Sequence, residues 1–307
     1  MKYDIQIISA PSILGLKPSG VEQLSERLLG NGLREGLNAT RPPIDVITLN
    51  ELYTTVRDAG TNCINAIPVH AFSLKLGKIV LDVVEKKCFP LVLGGDCSIL
   101  IGVMSALKRK SSHGLVFMDA HADFYEPEQS PTGELADMDL AIVTGRGPEL
   151  LANIDQLQPY VKDEHVIHIG QRDHQETRDY QAADIADTQM YCVDAAAVQS
   201  AAVDQLITDI LTRVARMKNL EGLWLHFDTD VLSDHINPAV DYRLPGGLSA
   251  HVVTLLLRRL LDTERIAGMS VTIYNPRLDA NGQAGRMITD ILVNAFGAVT
   301  LAPLRQE

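Results

Sequence analysis

Short apolar runs alternate along the chain with longer segments whose apolar positions recur at helical spacing. The runs predict strands over 3–9, 44–48, 91–93, 115–119, 166–169, 189–193, 223–228 and 267–272. The helical periodicity predicts helices over 20–31, 68–87, 98–109, 137–143, 148–153, 199–218, 249–262 and 284–300, with Ser249 as an N-cap. Strand and helix taking turns imply a three-layer α/β/α fold around a mainly parallel sheet of about eight strands. No repeat, low-complexity tract or linker interrupts the pattern, so one domain is expected over residues 1–307. Two polar segments, Phe124 to Gly133 and Leu232 to Gly247, break the rhythm and are expected to wall a pocket.

Three of the predicted strands end in ligand atoms. Leu115 to Met118 runs into Asp119, His121 and Asp123, spaced two apart. In extended backbone such residues point to one side, so the three are expected to converge. Leu223 to Phe227 leads into Asp228-Thr229-Asp230, and Leu91 to Gly95 leads into Asp96-Cys97-Ser98. An α/β protein builds its site at this carboxyl edge of the sheet. Carboxylates are hard anionic ligands suited to Mn²⁺ and similar dications.

Composition narrows the classes. Hydrophobic residues make up 46% of the 307 and charged residues 21%, while aromatics at 5% leave the core to Leu, Ile, Val and Ala. No apolar run is long enough to span a bilayer, and the first residues lack the centre of a signal peptide, so a cytoplasmic protein without membrane contact is expected. A net charge of −12 repels phosphate backbones and argues against nucleic acid. Cys63, Cys88 and Cys192 read as reduced, small core residues. Cys97 differs by standing at a strand-end ligand position.

These motifs, in this order, resemble the arginase/agmatinase/formiminoglutamase family of ureohydrolases. Ser9-Ala10-Pro11-Ser12 resembles the family's first loop, Gly94-Gly95-Asp96-Cys97-Ser98 its Gly-Gly-Asp-His-Ser motif, and Pro245-Gly246-Gly247 and Tyr274-Asn275-Pro276 its late segments. The resemblance implies two Mn²⁺ ions per chain that activate a bridging hydroxide. One ion would be held by Cys97, Asp119, Asp123 and Asp228, the other by Asp119, His121, Asp228 and Asp230. Asp123 would also accept the hydroxide proton and pass it to the leaving nitrogen. Trimers or hexamers of the chain are expected on the same ground.

Departures from that pattern bear on the substrate. Cys97 replaces the usual histidine, and a thiolate moves preference toward Zn²⁺, Fe²⁺ or Co²⁺. Ala136 stands where arginases carry a proton-shuttling histidine, with Asp137 and Asp139 near it. Ile273 stands where a glutamate holds the guanidinium, and Gln175 where an aspartate holds the α-amino group. The expected substrate is therefore a small amidine, guanidine or hydroxyguanidine other than arginine. Tyr125, Thr132, Asp137, Gln175, Tyr242 and Arg243 are the candidate contacts, and Arg172 is a further one; Arg243 suits bidentate carboxylate capture. His168 and His226 read as core histidines or partners of a ligand. Two other readings stay open: a non-catalytic metal-binding relative, and a single-metal deacylase built on Asp119, His121 and Asp228.

Overall fold

A computed structural model of the chain describes residues 3–200 and 203–297. Eight strands form one sheet: β1 (Ile5–Ala10), β2 (Ile44–Asp45), β3 (Phe89–Gly94), β4 (His113–Met118), β5 (Val166–Ile169), β6 (Tyr191–Val193), β7 (Gly222–Asp228) and β8 (Ile266–Thr272). Their order is β2-β1-β3-β8-β7-β4-β5-β6, and every pairing is parallel. All residues of β1, β3, β4, β5 and β7 are buried. Helices cover both faces of such a sheet, which is why these strands read as unbroken apolar runs.

Side-chain parity divides the core. In β4, Val116 and Met118 pack with the helices Leu24–Gly30, Val203–Arg216, Ala250–Asp262 and Gln283–Ala295. Leu115 and Phe117 pack with Ala66–Glu85, Ile99–Lys110 and Asp139–Val143 on the other side. Each fully buried Leu, Ile, Val or Phe contributes about 1.5–3 kcal/mol, so both faces are held firmly and the strand ends are fixed. Among the described residues no helix is long and apolar enough to cross a membrane.

Several boundaries differ from expectation. β2 is only two residues long, because the edge strand leaves the sheet at Ile47, which is 77% exposed. β3 is longer than 91–93; Pro90 precedes Leu91, the first residue paired with β8, so its missing N–H falls outside that ladder. Pro68 lies inside the first turn of Ala66–Glu85, where an absent N–H costs nothing. The segment 20–31 opens as a 3₁₀ turn, Val21–Gln23, before its α-helix. Helix 199–218 is observed as Ala195–Ser200 and Val203–Arg216, with 201–202 outside the described residues, as is the end of helix 284–300 beyond residue 297. Ser249 is the expected cap, its Oγ accepting from Val252 N at 3.2 Å.

Candidate metal centre

The site lies at the carboxyl ends of β3, β4, β7 and β8. Beyond β3 the backbone passes so close to the first loop that a Cβ on Gly95 would stand 1.8 Å from the Ser12 carbonyl oxygen; only glycine fits. Asp96 then accepts from Gly15 N (3.2 Å) and Ser98 N (2.9 Å), fixing the turn that presents Cys97. The thiol of Cys97 donates to Asp228 Oδ2 at 2.7 Å and lies 3.2 Å from Thr272 Oγ1.

The residues after β4 converge by a different route from the one expected. The strand ends at Met118, and the chain bends immediately rather than continuing extended. Asp119 Oδ1 accepts from His121 N at 2.7 Å, closing a local turn, and Asp123 adopts a left-handed conformation with φ 45°. His121 Nδ1 meets Asp230 Oδ2 at 2.9 Å, and Asp230 Oδ1 accepts from Ala120 N at 3.1 Å. Asp228 caps its own 3₁₀ turn by accepting from Asp230 N at 2.8 Å.

Two donor groups result. Cys97, Asp119, His226 and Asp228, all buried, bring one ligand atom each within 4.8 Å of one another; Asp119, His121 and Asp230 do the same. Asp119 belongs to both. Asp123 lies outside both groups, near the buried carboxyl of Asp139, although it faces the same pocket. Of the four residues expected at the second position, Asp119, His121 and Asp230 gather as one group, and Asp228 falls with the first.

Electrostatics supply the test of whether cations fit. Burial and the Asp230 charge push Asp119 up to about 7, and its Oδ2 is buried with no partner. Burial with the charges of Asp119, Asp139, Asp228 and Asp230 raises Asp123 well above the carboxylate range, and Asp228 is raised by burial, Asp230 and Asp119. Burial and Asp228 push the Cys97 thiol far up. Burial opposes a charge on His121, yet Asp230 and Asp119 hold its pKa well above the usual value. So many enclosed anionic donors with an orphaned oxygen among them form a cradle that divalent cations would neutralise. The residues fit the group.

The donors open on a cavity of about 240 Å³ lined by His121, Asp123, Tyr125, Ala136, Arg243 and Ile273, among others. The chain matches the model of the arginase family over residues 5–297. The chain belongs to the arginase family. The arginase of Staphylococcus aureus (strain COL) is 28% identical over 97% of this chain and 98% of its own length. That of Brevibacillus brevis is 31% identical over 73% of this chain and 74% of its own. The crystal structure of Bacillus subtilis arginase superposes with a TM-score of 0.82 at 28% identity, covering 97% of this chain and all of that one. Membership makes the chain a hydrolase of the ureohydrolase type, with the sheet and helices expected of an arginase-like fold.

Within this arginase-family pocket the predicted contacts divide. Tyr125, Thr132, Asp137, Tyr242 and Arg243 line it. Gln175 does not: it is exposed, bonded to Asp179 (2.8 Å) and Arg178 (3.0 Å), while its neighbour Glu176 faces the cavity. Arg243 points its guanidinium at the carbonyl and carboxylate of Asp234 (3.3 and 3.2 Å), and Tyr242 donates to Glu134 Oε2 at 2.8 Å. Arg172 is a structural clamp on the β7 turn, donating to Asp230 O at 2.7 Å. Ala136 and Ile273 both line the cavity, and Ile273 sits at φ 72°, a strained conformation for a β-branched residue costing roughly 1–3 kcal/mol. Its N–H donates to Gly95 O at 2.9 Å, pinning the end of β8 against the Cys97 turn.

Sequence reading missed Glu134 and Glu176 on the cavity wall, read His226 as a core histidine or partner of a ligand, and placed Asp139 only as an acid near Ala136. Asp139 is fully buried with neither oxygen satisfied by a donor. Its signal was an acid at the head of the apolar segment 140–143.

Proposed function

We propose that the chain is a two-metal hydrolase of a linear C–N bond in an amidine, guanidine or hydroxyguanidine, with a substrate other than free arginine. The observation that carries the substrate reading is the apolar pair Ala136 and Ile273 on the cavity wall beside the donors. Neither side chain offers a hydrogen-bond acceptor, so at these two positions a bound guanidinium is left without the partner that holds arginine in the family pattern, and its pairing falls to the other wall residues.

The cations, Mn²⁺ by family habit, would be held by Cys97, Asp119, Asp228, His121 and Asp230; when bound they supply Lewis acidity and a water acidified toward neutrality. Asp123 stands on the cavity near the buried carboxyl of Asp139. It is the carboxyl placed to hold a proton at the cavity and pass it to the departing nitrogen of a bound substrate. Burial and the charges of Asp119 and Asp139 around it keep its proton affinity high. The acids Glu134, Glu176 and Asp137 on the wall favour a substrate with a cationic part, whereas Arg243 is already engaged by Asp234.

The test is a screen of arginine, other guanidines, hydroxyguanidines, formimino compounds and acylated amines with Mn²⁺, Co²⁺, Zn²⁺ and Fe²⁺ in turn. Release of urea, ammonia or amine is the readout. Turnover of a non-arginine amidine is expected. Arginine as the best substrate by kcat/KM removes the substrate reading; a purified chain that takes up no metal removes the mechanism.

A further inference from the structure

His226 lies on β7 two residues before Asp228, on the same face and one pleat deeper. It is fully buried and stacked against Phe117, ring centroids 4.9 Å apart at 12°. Its Nδ1 is 2.8 Å from Ser270 Oγ, a hydroxyl that also accepts the Trp224 indole N–H at 3.0 Å. Its Nε2 is 3.3 Å from Thr272 Oγ1, which in turn is 3.2 Å from Cys97 Sγ. A metal-bound histidine usually donates its other ring N–H to a fixed partner, and Ser270 Oγ stands in that place. With Nδ1–H on Ser270, Nε2 is the acceptor nitrogen, in contact with the Thr272 hydroxyl that also meets Cys97.

The geometry points to His226 as a direct metal ligand, making the inner position a Cys97–Asp119–His226–Asp228 site for a softer dication such as Zn²⁺, Co²⁺ or Fe²⁺. This rests on the two-metal reading above and goes beyond it by assigning a fourth inner donor where Asp123 was expected. The four ligand atoms already lie within 4.8 Å of one another, and a tetrahedral zinc with bonds of about 2.0–2.3 Å holds its donors roughly 3–4 Å apart. Closing that gap needs only small side-chain movement. One sulfur and one imidazole shift preference away from Mn²⁺. The outer group, Asp119, His121 and Asp230, has one fewer donor and opens on the cavity through His121 and Asp230. The two positions are therefore unlike: Cys97 and Asp228 of the inner group also reach the cavity, but only the inner group has a sulfur donor and only it has four donors. Binding at the inner position displaces the Cys97 proton now held toward Asp228.

The test is X-ray absorption on the full chain, stripped with a chelator and loaded with less than one equivalent of Zn²⁺. In His121→Asn protein, the zinc shell is expected to contain one sulfur and one imidazole. Adding His226→Asn should remove the imidazole and keep the sulfur, and lower zinc affinity at least tenfold. Affinity alone does not decide, because a residue that only orients a ligand costs about 10–100-fold. Sulfur without imidazole in His121→Asn protein overturns the assignment and leaves His226 as a positioning residue acting through Thr272. Should the double variant not fold, wild-type zinc with one imidazole that survives His121→Asn supports the same conclusion. A site with sulfur and imidazole in a chain that hydrolyses no amidine retains His226 and removes the two-metal reaction. Turnover with an imidazole-free inner site does the reverse.

Discussion

Asp137 isolates a pH-dependent stability that can be predicted with its sign. Its Oδ2 accepts from Thr132 at 2.7 Å and Ser130 at 2.9 Å, while Oδ1 is buried without a partner. Burial outweighs those two hydroxyls and lifts the carboxyl from 3.8 to about 7. The unfolded chain thus ionises this group first. Stability is intact below the unfolded value, falls as pH rises from 3.8 toward about 7, and levels off beyond. At about 1.36 kcal/mol per unit, the loss between about pH 5 and pH 8 comes to roughly 2–3 kcal/mol, an upper figure because an edge of the residue meets solvent. Asp137→Asn keeps an acceptor for the two hydroxyls and does not titrate. Urea unfolding of both proteins with chelator present, at the two pH values, gives the difference directly, since the other carboxylates are common to both. The variant should gain about 2 kcal/mol on wild type from the lower pH to the higher. A gain under about 0.5 kcal/mol would refute the argument that this carboxyl is held protonated near neutrality.

Three further outcomes follow from the same geometry. Gly95→Ala drives a Cβ into the Ser12 carbonyl and should cost about 3 kcal/mol or more by denaturant titration; an unchanged midpoint contradicts the close approach. Asp123→Asn should lower kcat by about 10²–10⁴ on whichever amidine turns over, with the metal content measured by atomic emission retained. Ser249→Ala should cost about 1 kcal/mol through loss of the cap on Ala250–Asp262, and Ser249→Asp should restore most of it.

The sheet was legible because parallel strands buried on both faces leave apolar runs that nothing else in the chain imitates. The candidate donors also stand out in the sequence, since Cys97, Asp119, His121, Asp228 and Asp230 all follow such runs closely. How they converge does not. The pleat predicted a common side for Asp119, His121 and Asp123, but the Asp119 turn bends the chain at once, and Asp123 takes a left-handed conformation outside both donor groups. His226 stayed hidden because a histidine inside a doubly buried strand looks like any core residue; only its parity with Asp228 hinted otherwise. Gln175 and Glu176 show how sharp helical register is: one residue turns a side chain by about 100°, from pocket to solvent. The pairing of Arg243 with Asp234 was not foreseen because Asp234 lies across an irregular loop whose path no periodicity encodes.

Asp119 offers oxygens to both donor groups, and this sharing has a thermodynamic consequence. Whatever factor an ion in the inner position applies to the affinity of the outer one, the outer ion applies in return. Charge drawn from Asp119 by the first is unavailable to the second, while the repulsion it relieves among the remaining carboxylates works the other way. On the proposed two-metal reading the chain would be a single receptor for two ions, with populations of none, one and two bound set by a coupling free energy as well as by the two intrinsic affinities.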